Sequence, residues 1–222
     1  MRAPILRLCE DILSDGAALS LPPLTRMIFV VHGDVATGQR GLHNGDALHG
    51  EESITLLAGR AGTCVWRWEL AYCFANGGTL PAGVRSTEKL AAELETLPEG
   101  ELLLRGDSVA FPPGGCAHLH RHRGPGIRCL IEGGIRIDTG GRSTSFGPGA
   151  AWYESGPEAV FAQAAPDRLS RFIRVMILPR ELLGKSSFQY VNEADKTKPR
   201  LQQYKMLADA PIARPKDNTV AN

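Results

Sequence analysis

A duplicated strand pattern is the feature that most constrains the fold of this chain. Arg26 to Val31 reads RMIFVV and continues into HGD, and Ile127 to Ile131 reads IRCLI and continues into EGG. Gly33 and Gly133 hold matching places, 100 residues apart by subtraction, a period that suits a small domain rather than a solenoid repeat. Each run is apolar and precedes a glycine, as a strand does before a tight turn. The pattern predicts two similar β domains in tandem.

The sequence downstream of each run extends this likeness. NGDALHGEESITLLAG in the first half resembles GPGAAWYESGPEAVFAQ in the second, and the β-rich stretches TCVWRWEL and SRFIRVMIL follow. Short strands alternate with Gly, Pro, Asn and Asp turns, which is typical of a sandwich or barrel rather than of βαβ units. A chain of 222 residues has room for two such domains. We therefore expect an all-β protein.

Two segments are predicted to be helical. In the N-terminal segment MRAPILRLCEDILSDG, charged residues interrupt the apolar ones before a secretory core forms, which favours a short amphipathic helix. Between the halves, apolar residues recur at helical spacing: Leu90, Ala91, Leu94 and Leu97. Ser86 or Thr87 is a candidate N-cap, and Pro98 follows the segment. The predicted organisation is an N-terminal barrel over residues 1–84, a helical linker over 85–100, a C-terminal barrel over 101–184, and an extension with a polar tail over 185–222.

A histidine-rich segment carries a specific resemblance. Residues 111–137 read FPPGGCAHLHRHRGPGIRCLIEGGIRI, which resembles the first sequence motif of the cupin superfamily: G-x5-H-x-H, then a Glu after three or four residues, and a Gly after six more. Gly114, His120, His122 and Gly133 occupy the fixed positions, and Gly126 stands at the position of the Glu. The resemblance implies two tandem cupin jelly-roll barrels, with a degenerate metal motif in the C-terminal one.

The spacing of the histidines has a physical meaning. Alternate residues of a strand point to one face, so His120 and His122 are predicted to enter the barrel together, and His118 joins them if the strand is regular that far back. Neutral imidazoles presented in this way can hold a metal ion. The resemblance implies a divalent ion, with Fe, Mn, Ni and Zn all open. Alternatively, the histidines are surface residues, or remnants of a site that no longer binds metal.

The second cupin motif is matched poorly. With its first Gly on Gly149, Val160 stands where the third histidine ligand belongs. Glu158 shares strand parity with Val160, and Glu154 lies close by. Either carboxylate could complete a site of two histidines and one carboxylate. We therefore include Glu154 and Glu158 among the candidate ligands.

Arg128 is the candidate substrate-binding residue. It follows Gly126 by two positions, so on an unbroken strand its side chain enters the barrel. A buried guanidinium needs a partner, and a substrate carboxylate or phosphate fits it. The HxH pair, the missing Glu and this arginine together resemble the thiol dioxygenases within the cupins. Alternatively, a bulge at Gly124 to Gly126 reverses the register and sends Arg128 to solvent or to Glu132.

Composition limits the class of function. The 25 basic and 24 acidic residues give a net charge of +1, without the footprint of a nucleic-acid or membrane partner. No apolar stretch is long enough for a membrane span, and five cysteines without CxxC spacing favour a reducing cytoplasm over a disulfide framework.

Two functions remain open from the sequence. The first is a metal-dependent dioxygenase or isomerase that acts on a small anionic molecule in the C-terminal barrel. The second is a non-catalytic small-molecule-binding or sensor protein that uses His120, His122 and Arg128 as hydrogen-bond donors without metal. A structural dimer with a vestigial site is a third possibility, and the resemblance implies a homodimer in any case.

Overall fold

The computed structural model describes residues 3–38, 40–74 and 79–215 of the chain. It divides into two compact units: Leu97–Pro211 form the C-terminal unit, and the residues up to Thr96 together with those from Ile212 onward form the N-terminal unit. Strands dominate both, and the helical segments among the described residues are two short 3-10 helices, Arg180–Leu182 and Glu193–Thr197. The prediction of an all-β protein is confirmed.

The N-terminal unit is built on one seven-stranded sheet. Its strands are β1 (Ile5–Leu13), β2 (Ala18–Leu21), β3 (Thr25–Thr37), β4 (Arg40–Leu42), β5 (Ala47–Gly50), β6 (Ile54–Ala71) and β7 (Val84–Glu93). The order is β4-β3-β6-β1-β7, with β2 paired to β6 and β5 paired to β3. The long strands β3 and β6 change partners along their length, and a cluster of buried apolar residues from five strands forms the core. A complete first barrel stays a prediction, because the paired strands here form a single sheet.

The predicted N-terminal helix is wrong. Residues Ile5–Leu13 form β1, which lies between β6 and β7. The apolar positions suggested helical spacing because one inward position is charged: Asp11 is fully buried, and its carboxylate accepts hydrogen bonds from Arg67 at 2.7 and 3.1 Å. A buried ion pair therefore concealed the alternation of a strand.

The predicted helical linker is also wrong. Val84–Glu93 form β7, an edge strand that pairs antiparallel with β1 from Leu13↔Val84 to Ile5↔Glu93. The register shifts by one residue between Leu8 and Cys9, so a bulge breaks the strict alternation of side chains. The apolar residues then recur at a spacing that mimics a helix, although the pairing is that of a sheet.

The C-terminal unit is a sandwich of two five-stranded sheets. Its strands are β8 (Leu102–Phe111), β9 (Cys116–His122), β10 (Gly126–Glu132), β11 (Ile135–Thr139), β12 (Arg142–Phe146), β13 (Ala151–Glu154), β14 (Val160–Ala164), β15 (Ser170–Pro179), β16 (Phe188–Tyr190) and β17 (Gln203–Ile212). The sheets run β13-β10-β15-β8-β17 and β12-β11-β14-β9-β16. From β8 to β17, successive strands mostly alternate between the sheets, which is the connectivity of a jelly roll. Residues of both sheets share one apolar core.

The glycines that carry the repeat have the same structural role in both units. Gly33 and Gly133 have φ of 77° and 83°. A Cβ added to Gly33 would lie 2.1 Å from the carbonyl oxygen of Gly62, and one added to Gly133 would lie 2.2 Å from that of Leu169. Both the left-handed backbone and the close approach of a second chain segment require glycine at these positions.

The extension after residue 184 completes both sheets of the C-terminal unit. β16 adds to the edge of one sheet beside β9, and β17 adds to the edge of the other beside β8. The predicted polar tail begins at Ala213, and residues 216–222 of it lie outside the described residues. Among the described residues, no helix has the length and apolar character needed to cross a bilayer.

Candidate ligand pocket of the C-terminal unit

A small cavity lies between the two sheets of the C-terminal unit. Its polar lining comes from His120 and His122 on β9, Arg128 on β10, Glu154 on β13 and Arg174 on β15. The volume that the centre of a water molecule can occupy in this cavity is about 20 Å³. Because a single water needs roughly 10–15 Å³ on this measure, the cavity has room for little more than one water.

Cross-strand pairing brings charged residues together in one row of the first sheet. Arg128 stands opposite Arg174, and Arg174 stands opposite Asp107 on β8. The Arg174 guanidinium donates two hydrogen bonds to the Asp107 carboxylate, at 2.7 and 3.0 Å. This pairing raises the pKa of Arg174 despite burial of its side chain. Two neighbouring cations are therefore tolerated because each has its own carboxylate.

Arg128 is buried within the pocket, with 1% of its surface exposed. Its Nη1 donates to the carbonyl oxygen of Gly126 at 2.7 Å, and its Nη2 lies 2.6 Å from Oε2 of Glu154. This ion pair is close but misaligned, and neither of these two atoms makes a hydrogen bond of good geometry with the described residues. Burial lowers the pKa of Arg128 to about 10, so the group stays charged at neutral pH.

The alternative register for Arg128 is wrong. The irregularity in the pairing of β10 falls between Leu130 and Glu132, beyond Arg128, and the strand is regular from Gly126 to Leu130. Glu132 instead pairs with Arg171 on the surface, at 2.6 Å. The role of Arg128 as a substrate-binding residue remains a prediction, whereas its position in the cavity is a feature of the structure.

His120 and His122 lie side by side in the cavity, with 5.0 Å between their ring centroids. Nδ1 of His120 is 2.8 Å from the carbonyl oxygen of His118, so this nitrogen is the donor and Nε2 is left as an acceptor. Nδ1 of His122 is 3.3 Å from Oγ of Ser187, and Nε2 is 3.3 Å from Nη1 of Arg174. Burial lowers the pKa of His120 to about 4 and that of His122 well below the ordinary value. Both imidazoles are therefore neutral at pH 7.

Glu154 is the carboxylate nearest to these imidazoles. Its Oε1 accepts a hydrogen bond from Nε1 of Trp152 at 2.9 Å, and its Oε2 is 4.0 Å from Nε2 of His122. Gly126 stands opposite Glu154 in the pairing of β10 with β13. Of the two candidate carboxylates, Glu154 is the one that lines the cavity.

The structure places two of the candidate ligands elsewhere. A register shift between β14 and β9 falls between His120 and Ala117, so Ala117 lines the cavity and His118 does not. His118 lies beside Cys116. Glu158 is exposed and precedes β14, which begins at Val160. The side chains of His118 and Glu158 therefore lack the regular strand geometry that would have pointed them into the cavity.

The lining residues that the sequence did not reveal include Arg174, Phe188 and Tyr204. Arg174 lies in the apolar strand sequence SRFIRVMIL, and its inward position becomes visible only once β15 is paired with β10. Phe188 and Tyr204 come from the extension, which had been expected to lie outside the barrel.

The fold is shared with solved structures of very different sequence. An oxalate decarboxylase of Lactobacillus farciminis, in complex with formate, matches with a TM-score of 0.63 at 13% identity, over 87% of this chain and 82% of that chain. An oxalate decarboxylase variant of Bacillus subtilis matches with a TM-score of 0.60 at 12% identity, over 87% and 73%. AerE from Microcystis aeruginosa matches with a TM-score of 0.56 at 14% identity, over 80% and 89%. The protein has a cupin fold.

No protein-family model and no curated protein sequence matches the chain. At 12–14% identity, the cupin fold itself is what these structures share with the protein. The resemblance stated from the histidine segment is thus supported at the level of the fold.

The donor set of this cupin pocket does not fit a divalent metal. The described residues bring together no group of three His, Cys, Asp or Glu side chains able to hold an ion. Nε2 of His122 faces a guanidinium, and Oε2 of Glu154 lies against another. At the position of the motif Glu, a Cβ on Gly126 would lie 2.4 Å from the carbonyl oxygen of Val175, so no side chain fits there. Val160, at the place of the third histidine, is a buried apolar residue opposite His120.

Proposed function

We propose that the C-terminal cupin barrel binds a small carboxylic acid through its own side chains, without a metal ion. The observation that carries this proposal is the state of Arg128. This guanidinium is 1% exposed and lines the cavity, yet its Nη2 makes no aligned hydrogen bond with the described residues. The contact with Oε2 of Glu154 at 2.6 Å compensates the charge, and a ligand that supplies an aligned hydrogen bond would lower the remaining cost of burying this donor.

A carboxylate is the partner whose chemistry suits this donor. Guanidinium and carboxylate form strong charge-assisted hydrogen bonds, and the planar arginine fork fixes their direction. The neutral imidazole of His120 presents Nε2 as an acceptor, which can receive a hydrogen bond from a protonated or hydroxylated part of the ligand. Apolar side chains form much of the remaining wall, among them Val109, Phe111 and Phe172.

Charge balance adds a requirement to binding. Arg128 and Arg174 are matched by Glu154 and Asp107, so the buried group is neutral as a whole. An incoming carboxylate would leave one uncompensated negative charge in a site of low dielectric, which costs several kcal/mol by the order of magnitude known for buried ions. We therefore expect the acid to bind together with one proton, held by the ligand or by Glu154.

Formate is the natural first probe. The Lactobacillus farciminis oxalate decarboxylase of the same fold is described as a formate complex. Formate and acetate are also the smallest carboxylic acids, so the lining of this cavity of about 20 Å³ would have to move least to admit them. These two acids are probes of the proposal, and the physiological ligand is a separate question.

The test is titration calorimetry of chelator-treated protein with formate and acetate. Arg128→Met removes the proposed anchor and should abolish the heat of binding. Arg136→Met is the matched control, because Arg136 is an arginine of the same unit whose side chain is 47% exposed and pairs with Asp138 on the surface. Binding that survives in Arg128→Met, or is absent from the unmodified protein, would overturn the proposal.

A metal-dependent dioxygenase or isomerase has less support, because both candidate ligands beside His120 are occupied by arginine. Elemental analysis of freshly purified protein distinguishes the two functions. Near-stoichiometric Fe, Mn, Ni or Zn that disappears on converting His120 and His122 to Ala would favour the enzyme and contradict our proposal.

A further inference from the structure

The C-terminal extension closes the cavity with an aromatic ring. In β16, Phe188 pairs with His122 of β9, and its ring stacks on the imidazole of His120 with 4.2 Å between centroids and 13° between planes. Phe188 lines the cavity. Tyr190 of the same strand makes a T-shaped contact with the Phe188 ring, at 4.8 Å between centroids, and is not part of the lining. The guanidinium of Arg200 lies 5.5 Å from the Phe188 ring and 5.3 Å from the Tyr190 ring.

The opposite wall of the cavity cannot easily retreat. Phe111, Trp152 and Phe172 are 2%, 5% and 6% exposed and belong to the apolar core shared by the two sheets. Trp152 is held further by its hydrogen bond to Glu154. A well-packed core resists changes in volume, so this side fixes the depth of the site.

Phe188 differs from these residues in how it is held. It belongs to a strand of three residues at the edge of its sheet, whose one neighbour in the sheet is β9. The side chain is partly exposed, so its outer surface does not contribute to the core. The ring that stacks on His120 is therefore carried by a short edge strand.

We infer that Phe188 is the specificity-determining residue of the pocket and restricts its ligands to short-chain acids of the size of formate and acetate. This inference rests on the proposed function. With the carboxylate at Arg128, the chain or ring of a longer acid would have to occupy the volume that the Phe188 ring fills against His120. Removal of the ring leaves an apolar space of about one phenyl group next to the imidazole, which an aryl acid can fill.

The experiment compares acetate with phenylacetate in the unmodified protein, in Phe188→Ala and in Tyr190→Ala. We expect the ratio of phenylacetate to acetate affinity to rise by at least about tenfold in Phe188→Ala, a change that corresponds to burial of one small apolar group. Tyr190→Ala, which removes an aromatic ring from the same strand outside the cavity, should leave the ratio unchanged. Phe188→Leu, which retains an apolar side chain, serves if the alanine variant does not fold, and it should give a smaller rise.

The outcomes separate this inference from the function on which it rests. If the unmodified protein binds acetate but the ratio is the same in Phe188→Ala, the role of Phe188 is wrong and the binding function stands. Equal affinity of the unmodified protein for acetate and phenylacetate would lead to the same conclusion. If the unmodified protein binds neither formate nor acetate, the proposed function itself fails, whatever Phe188→Ala binds.

Discussion

Nη1 of Arg174 lies 3.3 Å from Nε2 of His122, the nitrogen that a metal ion in the pocket would need as its ligand. The guanidinium is fixed in this position by two hydrogen bonds to Asp107. It lowers the pKa of His122 further after burial has already lowered it, so the imidazole is a neutral acceptor for the arginine. A cation supplied by the chain itself thus takes the lone pair that the cupin motif would offer to a metal.

The protein should therefore bind transition metals weakly. We expect well below one equivalent of Fe, Mn, Ni or Zn after purification, and no rise in melting temperature on addition of these ions, because a ligand stabilises a protein only in proportion to its affinity for the folded state. The double variant with His120 and His122 changed to Ala should show the same metal content. A melting temperature that rises with added metal in the unmodified protein, but not in this variant, would contradict the expectation.

The ion pair of Arg128 with Glu154 should show strong coupling in stability. Arg128→Met leaves the Glu154 carboxylate buried without its cation and should cost about 3–5 kcal/mol of unfolding free energy. Adding Glu154→Gln to this variant removes the stranded charge and should restore part of the loss. Urea unfolding of the single and double variants measures both effects, with Arg136→Met as the surface control expected to cost at most about 1 kcal/mol. Equal costs for the two arginine variants would argue against a buried ion pair.

Binding of acetate should strengthen as the pH falls. If one proton enters with each carboxylate, the association constant changes about tenfold per pH unit between roughly pH 8 and pH 6, where acetate itself stays ionised. Calorimetry in buffers of different protonation enthalpy counts the protons directly. An affinity independent of pH would show that the site accepts the extra negative charge, and it would remove the charge-balance argument.

The histidines of the pocket should make the protein acid-sensitive. The folded-state pKa of His120 is lowered to about 4, whereas the unfolded chain titrates near the ordinary value of 6.5. As the pH falls from about 6.5 toward 4, the unfolded state takes up a proton that the folded state does not, so stability decreases by up to about 1.4 kcal/mol per unit for each such group. His120→Gln should flatten this slope between about pH 7 and pH 5 in denaturant titrations. His43→Gln is the control: a hydrogen bond to Asp34 raises the pKa of His43, so loss of this imidazole should not flatten the slope.

Two glycines with the same backbone conformation should differ in tolerance to alanine. Gly133 and Gly141 have φ of 83° and 71°, but an added Cβ meets the Leu169 carbonyl oxygen at 2.2 Å in the first case and nothing within 4 Å in the second. Gly141→Ala should therefore lower the free energy of unfolding by only about 1–2 kcal/mol, which is the cost of a left-handed backbone for a residue with a Cβ. Gly133→Ala should cost clearly more, because the backbone of a neighbouring segment must move. Similar melting temperatures for the two variants would contradict this reading of the turn.

The all-β class and the jelly-roll connectivity of the C-terminal unit were predictable from the sequence because their signals are local. The turn at Gly133 and the alternation of His120 with His122 can each be recognised from residues that lie close together in the sequence. By contrast, β1 and β7 were predicted as helices. In β1, Asp11 occupies an inward strand position, and its partner Arg67 lies far away in the sequence. In β7, the bulge in the pairing with β1 breaks the alternation of side chains.

The composition of the pocket was harder to predict for the same reason. Arg174 enters the site through the register of β15 against β10, and Phe188 enters it because the extension returns to β9. Neither relationship leaves a motif in the sequence. His118 and Glu158 were misplaced because a one-residue shift in β9 and a late start of β14 change which face a side chain occupies. The homodimer and the cytoplasmic location remain predictions.

The addition of β16 and β17 to opposite sheets has a consequence for synthesis of the protein. During translation, β8 and β9 leave the ribosome long before the strands that flank them, so the nascent chain presents two unpaired strand edges and an uncovered pocket. The barrel cannot mature until its final strands have emerged. Premature termination just before Ser187 would therefore yield an aggregation-prone polypeptide rather than a shorter, working domain.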